Sequence, residues 1–392
     1  MRPSRRISAI AAPAGDSWAL YSRARRMKEA GEKIVTLTIG DHDWTTPETV
    51  IAAMAEAARA GHTGYSHMAG LPELRAALAR REQARSGVPT GPGNILVTTG
   101  GQAALFAAMM AGLDPGDRAL ILSPYYPTYP ETVRAAGAVP EELQTVSENG
   151  FEPTRAQLEA QAPGCRLMLV NSPHNPTGAV YSRETVEAIA DVARAEDMWL
   201  VSDEVYAGQV HEGAHLSPRS LPGMAGRTLV IGSMSKSHVM TGFRIGWVCG
   251  PEEMIDRMEE LSVTTTYGVP GFIQHAALHA LREGDAIEAE TAARYRRRRD
   301  LALKALEGAN AIRLLPPKGG MYLMLDIRAT GMTGKTFAEA LLDQERIAVM
   351  PGESFGEAAA GHLRVALTCE DAALEDAMRR IAAFAAQRAA AA

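Results

Sequence analysis

The sequence predicts an α/β protein. A large unit carries a mostly parallel sheet covered by helices, and a smaller α+β unit is assembled from the first and last segments. Three observations predict this. Between residues 95 and 249 short apolar runs alternate with helical patterns, and the runs are apolar nearly throughout, as strands buried on both faces are. After residue 270 the pattern turns to long helices with a few strands. The length, 392 residues at 46% hydrophobic, suffices for two cores. The boundaries implied are residues 1–45 for an arm and part of the smaller unit, 46–285 for the large unit, and 286–392 for the rest.

The elements follow in order. Residues 17–30 read as an amphipathic helix stopped at Gly31, and 34–39 as a strand ending at Gly40. Asp41 to Thr46 is a loop, and Pro47 opens a helix over 48–60. Pro72 opens the next, to Ser86. Strands at 95–99, 119–122, 138–143, 167–170, 199–202, 228–232 and 245–249 are separated by helices at 103–112, 129–136 and 183–196. A long helix at 285–308, strands at 312–315 and 321–326, a helix at 334–343, a strand at 363–367 and a last helix complete the pattern. The run Gly331 to Thr336 hints at a phosphate loop but lacks the earlier glycine, since position 329 is Ala329.

The composition narrows the function classes. The net charge of −6 argues against a nucleic-acid partner, and the run Arg296–Arg299 reads as a solvated helix face. Cys165, Cys249 and Cys369 form no CxxC pair, so neither a disulfide framework nor a metal site is expected, and a reducing cytoplasm fits. No apolar run has the length of a membrane span, and the basic start is a poor signal peptide.

The most informative stretch follows the strand 228–232. Lys236 sits among Ser233, Ser235 and Ser237, with Arg244 eight positions on, between Gly242 and Gly246. A lysine just past a buried strand, with no carboxylate beside it, suits a nucleophilic amine, because desolvation disfavours its charged form. Ser233, Ser235 and Arg244 can hold an anion beside it. An aldehyde cofactor bearing a phosphate satisfies both features. In parallel sheets ligands bind beyond the carboxyl ends of strands, where Asn175, Asp203 and Lys236 all fall. A buried Asp203 needs a cationic partner, and a protonated pyridine nitrogen is one. Asn175 and Tyr206 can hydrogen-bond the phenolic oxygen of such a ring, and Tyr126 offers it a face. Gly101, Gln102 and Ala103 put backbone N–H groups at a helix N-terminus, a phosphate cradle. Singly these residues read equally well as an N-cap (Asp203), a plain turn (Asn175–Gly178) or core aromatics (Tyr126, Tyr65). Their number and order favour one shared site.

Taken together, the Gly100–Gly101 turn, Pro124-Tyr125-Tyr126, Asn175-Pro176-Thr177-Gly178, Asp203-Glu204-Val205-Tyr206, Ser233-x-Ser235-Lys236 and Gly242-Phe243-Arg244-Ile245-Gly246 resemble the class I/II aminotransferases, pyridoxal-phosphate enzymes of fold type I. The resemblance spans about residues 30 to 380. It implies that Lys236 forms the Schiff base with pyridoxal phosphate and moves the proton, and that Asp203 pairs with the ring nitrogen. It implies that Tyr65 reaches the cofactor phosphate of a neighbouring subunit, hence a homodimer with shared sites. Arg364 would clamp the substrate α-carboxylate, a role suited to a planar guanidinium, with the backbone of Gly40 beside it. An L-amino acid donor and a 2-oxo acid acceptor, pyruvate or 2-oxoglutarate, follow. A C–S lyase, decarboxylase or racemase on the same scaffold is the alternative, and a regulatory domain without turnover is disfavoured.

The chain departs from relatives in places. After Gly40 it carries Asp41-His42-Asp43-Trp44 where Glu-Pro-Asp-Phe is usual. Gly271 stands where a Ser or Thr often meets the phosphate, and Gln102 where some acidic-substrate members have lysine. A neutral donor, aromatic or large aliphatic, is therefore expected rather than an acidic one; Trp44, Tyr125 and Tyr267 read equally as walls of its pocket and as packing residues.

Overall fold

The computed structural model describes residues 4–10, 18–284 and 286–391. The strands, in chain order, are β1 (Val35–Leu37), β2 (Ile95–Thr98), β3 (Arg118–Ser123), β4 (Val139–Gln144), β5 (Leu167–Asn171), β6 (Trp199–Asp203), β7 (Thr228–Ser233), β8 (Gly246–Cys249), β9 (Arg313–Leu315), β10 (Tyr322–Asp326), β11 (Ile347–Pro351) and β12 (His362–Ala366). They form a seven-stranded sheet in the order β2-β8-β7-β6-β5-β3-β4 and a five-stranded sheet in the order β1-β11-β12-β10-β9.

The large sheet follows from its sequence. Strands β5 and β7 are buried along their whole length, as strands covered on both faces must be. Alternate residues divide between the two faces. Leu229 and Ile231 pack with the Gly101–Gly112 and Glu252–Thr265 helices, while Val230 packs beneath Trp247 with helices Pro72–Ser86 and Gly271–Arg282. The pairings β3–β4, β3–β5, β5–β6 and β6–β7 are parallel. Asn171 lies opposite Asp203 in the ladder, so the carboxyl ends of β5, β6 and β7 share one edge.

β8 runs antiparallel to both β7 and β2, which the strand–helix alternation does not show. The connection from Ser233 to Gly246 holds only a four-residue helix and a short turn. It therefore returns the chain alongside β7 instead of crossing the sheet. Trp247 on β8 is almost fully buried, and its Nε1 donates to Glu82 Oε1 at 3.0 Å. The indole lies against Gly232 of β7, where a Cβ would collide with it. Gly232→Ala is accordingly expected to cost about 2 kcal/mol or more through overpacking, read as a lowered denaturation midpoint.

The smaller sheet joins early and late chain. β1 pairs parallel with β11, and β12 runs antiparallel to β10 and β11. Its core is packed by the Ala19–Glu29, Ala286–Ala305, Gly334–Glu345 and Asp371–Ala389 helices. Strand β11, helix Glu252–Thr265 and the short helix Arg155–Gln161 are additional to the elements read from the sequence. The run Arg296–Arg299 is not wholly a solvated face. Arg298 is buried, forks onto both carboxylate oxygens of Asp43 at 2.7 Å and also donates to Asp371. Arg299 is buried against Glu212 and Asp300. Asp43, Asp371 and Glu212 approach from outside this helix, so the helical pattern alone carries no sign of them.

Candidate active site

A cavity of about 350 Å³ opens at the carboxyl edge of the central strands, with β10 and β12 of the smaller sheet contributing Tyr322 and Arg364 to its wall. Lys236, Asp203, Asn175, Tyr206, Tyr126 and Arg364 all line it, as do Gly40, Gly101, Gln102, Ser233, Ser235 and Arg244. Residues from nine separate segments of sequence therefore meet in one place. Ala103 is not in the wall; it lies in the first turn of the helix behind Gly101 and Gln102. Tyr65 lies outside as well, 88% exposed, with its ring 4.8 Å from that of Tyr267.

Ser233 ends β7 and caps the short helix Met234–Ser237, accepting from Ser235 N–H at 3.1 Å. That turn aims the amine of Lys236 into the cavity, where it donates to the carbonyl oxygen of Gly40. Asp203, at the end of β6, is 5% exposed. Tyr129 donates to its Oδ2 at 2.6 Å and the Val205 N–H to its Oδ1 at 3.2 Å. Among the described residues no cation pairs with it, and burial pushes its pKa up to about 6.

The Gly101–Gly112 helix has no side-chain cap, so the N–H groups of its first turn face the cavity edge. Arg244 is held in the left-handed region, φ 54°, by the turn before β8. Its guanidinium lies over that helix start: a Cβ on Gly100 would stand 2.5 Å from Arg244 Nη2. Positive charge and open N–H groups thus converge with Ser233 and Ser235 on one corner, an arrangement able to hold an anion.

Arg364, in the centre of the smaller sheet, is 1% exposed. Its Nη1 donates to Asn175 Oδ1 at 3.0 Å, Nη2 donates to the Thr38 carbonyl, and the rings of Tyr322 and Phe355 flank it at 4.3 and 4.4 Å. Burial lowers its pKa, without bringing a guanidinium near neutrality. Tyr206 and Tyr322 share a hydroxyl contact of 3.2 Å. Gly40 must be glycine, because a Cβ there would strike the Tyr322 hydroxyl.

Among the wall residues that the sequence reading does not assign to the site, three are aromatic: Tyr129, Tyr322 and Trp18. Trp44, Tyr125 and Tyr267, which the sequence leaves open between pocket wall and packing, do not line this cavity. Tyr125 is buried with its hydroxyl on Glu142 at 2.9 Å, Trp44 packs under Arg294 and beside Tyr295, and Tyr267 is half exposed. Gln102 is tied to Thr132 and Thr128 by its amide. A Cβ on Gly271 would stand 3.0 Å from the His62 carbonyl.

The family described as Aminotransferase class I and II matches residues 32–381. The chain belongs to that family. It is 42% identical over 392 residues to an arginine–pyruvate transaminase of Pseudomonas aeruginosa, covering 99% of both chains. It is 40% identical over 384 residues to an aspartate/prephenate aminotransferase of Thermus thermophilus, covering 97% of both. The solved aspartate aminotransferase of Thermus thermophilus with maleate superposes at a TM-score of 0.92 with 38% identity, over 98% of this chain and 100% of that one. The aminotransferase is therefore a pyridoxal-phosphate-dependent transferase of the expected fold. No helix among the described residues is long and apolar enough to cross a membrane.

Proposed function

We propose that this aminotransferase takes the amino group from a neutral L-amino acid, aromatic or large aliphatic, and passes it to pyruvate or 2-oxoglutarate by a ping-pong route, in the cytoplasm and as a homodimer. The observation that carries this reading is the convergence of Lys236, Asp203 and Arg364 on one cavity. The residues fit the cofactor. An unpaired buried carboxylate at Asp203 suits a protonated ring nitrogen, and the corner made by Arg244, Ser233, Ser235 and the helix start suits a phosphate. Bound pyridoxal phosphate supplies an electron sink for the pair left behind when the donor's α-proton departs.

The chain's own groups do the rest. Arg364 grips the donor α-carboxylate through two N–H groups and orients the α C–H bond towards Lys236. Asn175 fixes the guanidinium. Lys236 Nζ holds the cofactor before the donor enters and then moves the α-proton. Tyr126 supplies a ring face, Asn175 and Tyr206 donate at the phenolic oxygen, and Tyr129 holds Asp203 in place.

Support for a neutral donor comes from the wall. Trp18, Tyr126, Ile39, Leu105 and Tyr322 line it, and its cations are Lys236, Arg244 and Arg364, each with a role already. A cationic donor is the second reading. Asp41 stands on the same wall, and the Pseudomonas relative is named for arginine and pyruvate. For the homodimer, support comes from Tyr65 and Tyr267, exposed aromatics in contact with each other. The buried or half-buried free thiols of Cys165, Cys249 and Cys369 suit a reducing compartment.

Arg364→Ala tests the carboxylate grip. Losing a charged, bidentate hydrogen bond costs about 1.5–3 kcal/mol, roughly 10- to 100-fold, expected mainly as a higher KM for every donor alike. A loss confined to one donor contradicts the assignment.

A further inference from the structure

The loop after β1 grips the lysine turn at four points. The Gly40 carbonyl accepts from Lys236, Asp41 Oδ1 accepts from Thr241 Oγ1 at 2.8 Å, His42 Nε2 meets the Ser235 carbonyl at 3.1 Å, and Thr46 Oγ1 donates to the Val239 carbonyl. The second of these sits on an exposed side chain, whereas His42 reaches inward, to the peptide that precedes Lys236. A carbonyl only accepts, so Nε2 carries the ring hydrogen. Nδ1 of the neutral ring then accepts from the Tyr295 hydroxyl, 2.8 Å away on the Ala286–Ala305 helix. On the other side of Lys236, Gln209 Nε2 donates to the Lys236 carbonyl at 2.9 Å. Both carbonyls flanking the lysine are thereby held by side chains from outside its own turn.

We propose that His42 is a positioning residue for Lys236, linking the Ala286–Ala305 helix through Tyr295 to the backbone of the lysine turn. The inference rests on the proposed role of Lys236. Its surroundings fit a rigid strut. The ring packs 4.7 Å from Trp44 and 5.7 Å from Tyr295, and Trp44 in turn lies under Arg294 and Arg298. Arg298 locks the next residue, Asp43, with its two-pronged ion pair. The charged and titratable groups facing His42 are Lys236, Asp41, Asp43, Tyr295 and, across Trp44, Arg294 and Arg298. Burial, then the Lys236 charge, lowers the His42 pKa to about 4, which keeps the ring neutral and the two-bond chain intact at neutral pH.

The test compares His42→Leu and His42→Gln with the parent enzyme, each loaded with pyridoxal phosphate. Three readouts are taken: the pH titration of the visible cofactor band, kcat with KM for one donor, and the thermal midpoint. Freeing the Ser235 carbonyl lets Nζ drift, and a misplacement of about 1 Å is worth roughly 100-fold in rate. His42→Leu is expected to lose about 10- to 100-fold in kcat, to keep KM within about threefold, and to displace the band titration by about half a pH unit or more. His42→Gln, which keeps an N–H donor, is expected to recover kcat to within about threefold of the parent. A Leu variant with parental kcat and titration overturns the proposal, as does a Gln variant as impaired as Leu at the same thermal midpoint. A parent enzyme that shows no band with pyridoxal phosphate overturns the reading of Lys236 as well, which separates the two failures.

Discussion

Lys236→Ala is expected to lose both the visible cofactor band and measurable turnover while keeping the fold. Nothing else in the cavity can replace its amine: the other wall cations are the guanidinium groups of Arg244 and Arg364, which stay protonated. Its partner in the structure is a backbone carbonyl, that of Gly40, so removing the side chain leaves no buried charge unpaired. The loss should therefore fall on chemistry and not on stability. Full activity in the variant would contradict the assignment.

The second large effect is expected at Asp203, and it has opposite signs for function and for stability. Burial raises the pKa of the folded carboxyl to about 6, whereas an unfolded aspartate has the ordinary value of about 4. In that window the native state binds more protons than the unfolded one, so the contribution of Asp203 to stability falls as pH rises from about 4 to about 6. Above it, the buried charge costs roughly 3 kcal/mol at about 1.4 kcal/mol per pKa unit. Asp203→Asn removes that charge and retains an acceptor for Tyr129, at the loss of the longer bond from the Val205 N–H, worth about 1 kcal/mol and so less than the charge. The cofactor-free variant is expected to be the more stable protein at pH 8, with the gap closing towards pH 4. Turnover should fall by about 1000-fold, because a neutral amide cannot hold the ring nitrogen's proton. Denaturation of both cofactor-free proteins at two pH values, with steady-state rates of the loaded ones, checks both signs. An Asn variant within tenfold of parental turnover contradicts the ring-nitrogen role.

The strand-end residues were legible in the sequence for a physical reason. Asn175, Asp203 and Lys236 each follow an apolar run, and a parallel sheet brings such ends to one edge. Arg244 could be read from its flanking glycines. Tyr129 and Tyr322 could not. Each lies inside a regular element, and a tyrosine there is as often a packing residue as a donor. The burial of Arg298 was equally hidden, since its partner Asp43 is 255 positions away. The direction of β8 depends on a connection whose helix is only four residues long, too short for hydrophobic periodicity to register. The sequence leaves Tyr125 open between wall and packing for the same reason. It adjoins Tyr126 in sequence, yet its hydroxyl meets Glu142 while Tyr126 lines the cavity.

The most direct test of the central claim is a half-reaction. The protein loaded with pyridoxal phosphate is scanned in the visible before and after addition of single L-amino acids, with no keto acid present. Conversion of the band to that of pyridoxamine phosphate, fastest with an aromatic or large aliphatic donor, is the predicted result; fastest conversion with arginine or lysine selects the cationic donor instead. A band that persists with every amino acid, or that bleaches with release of ammonia or carbon dioxide, would contradict transamination at this site.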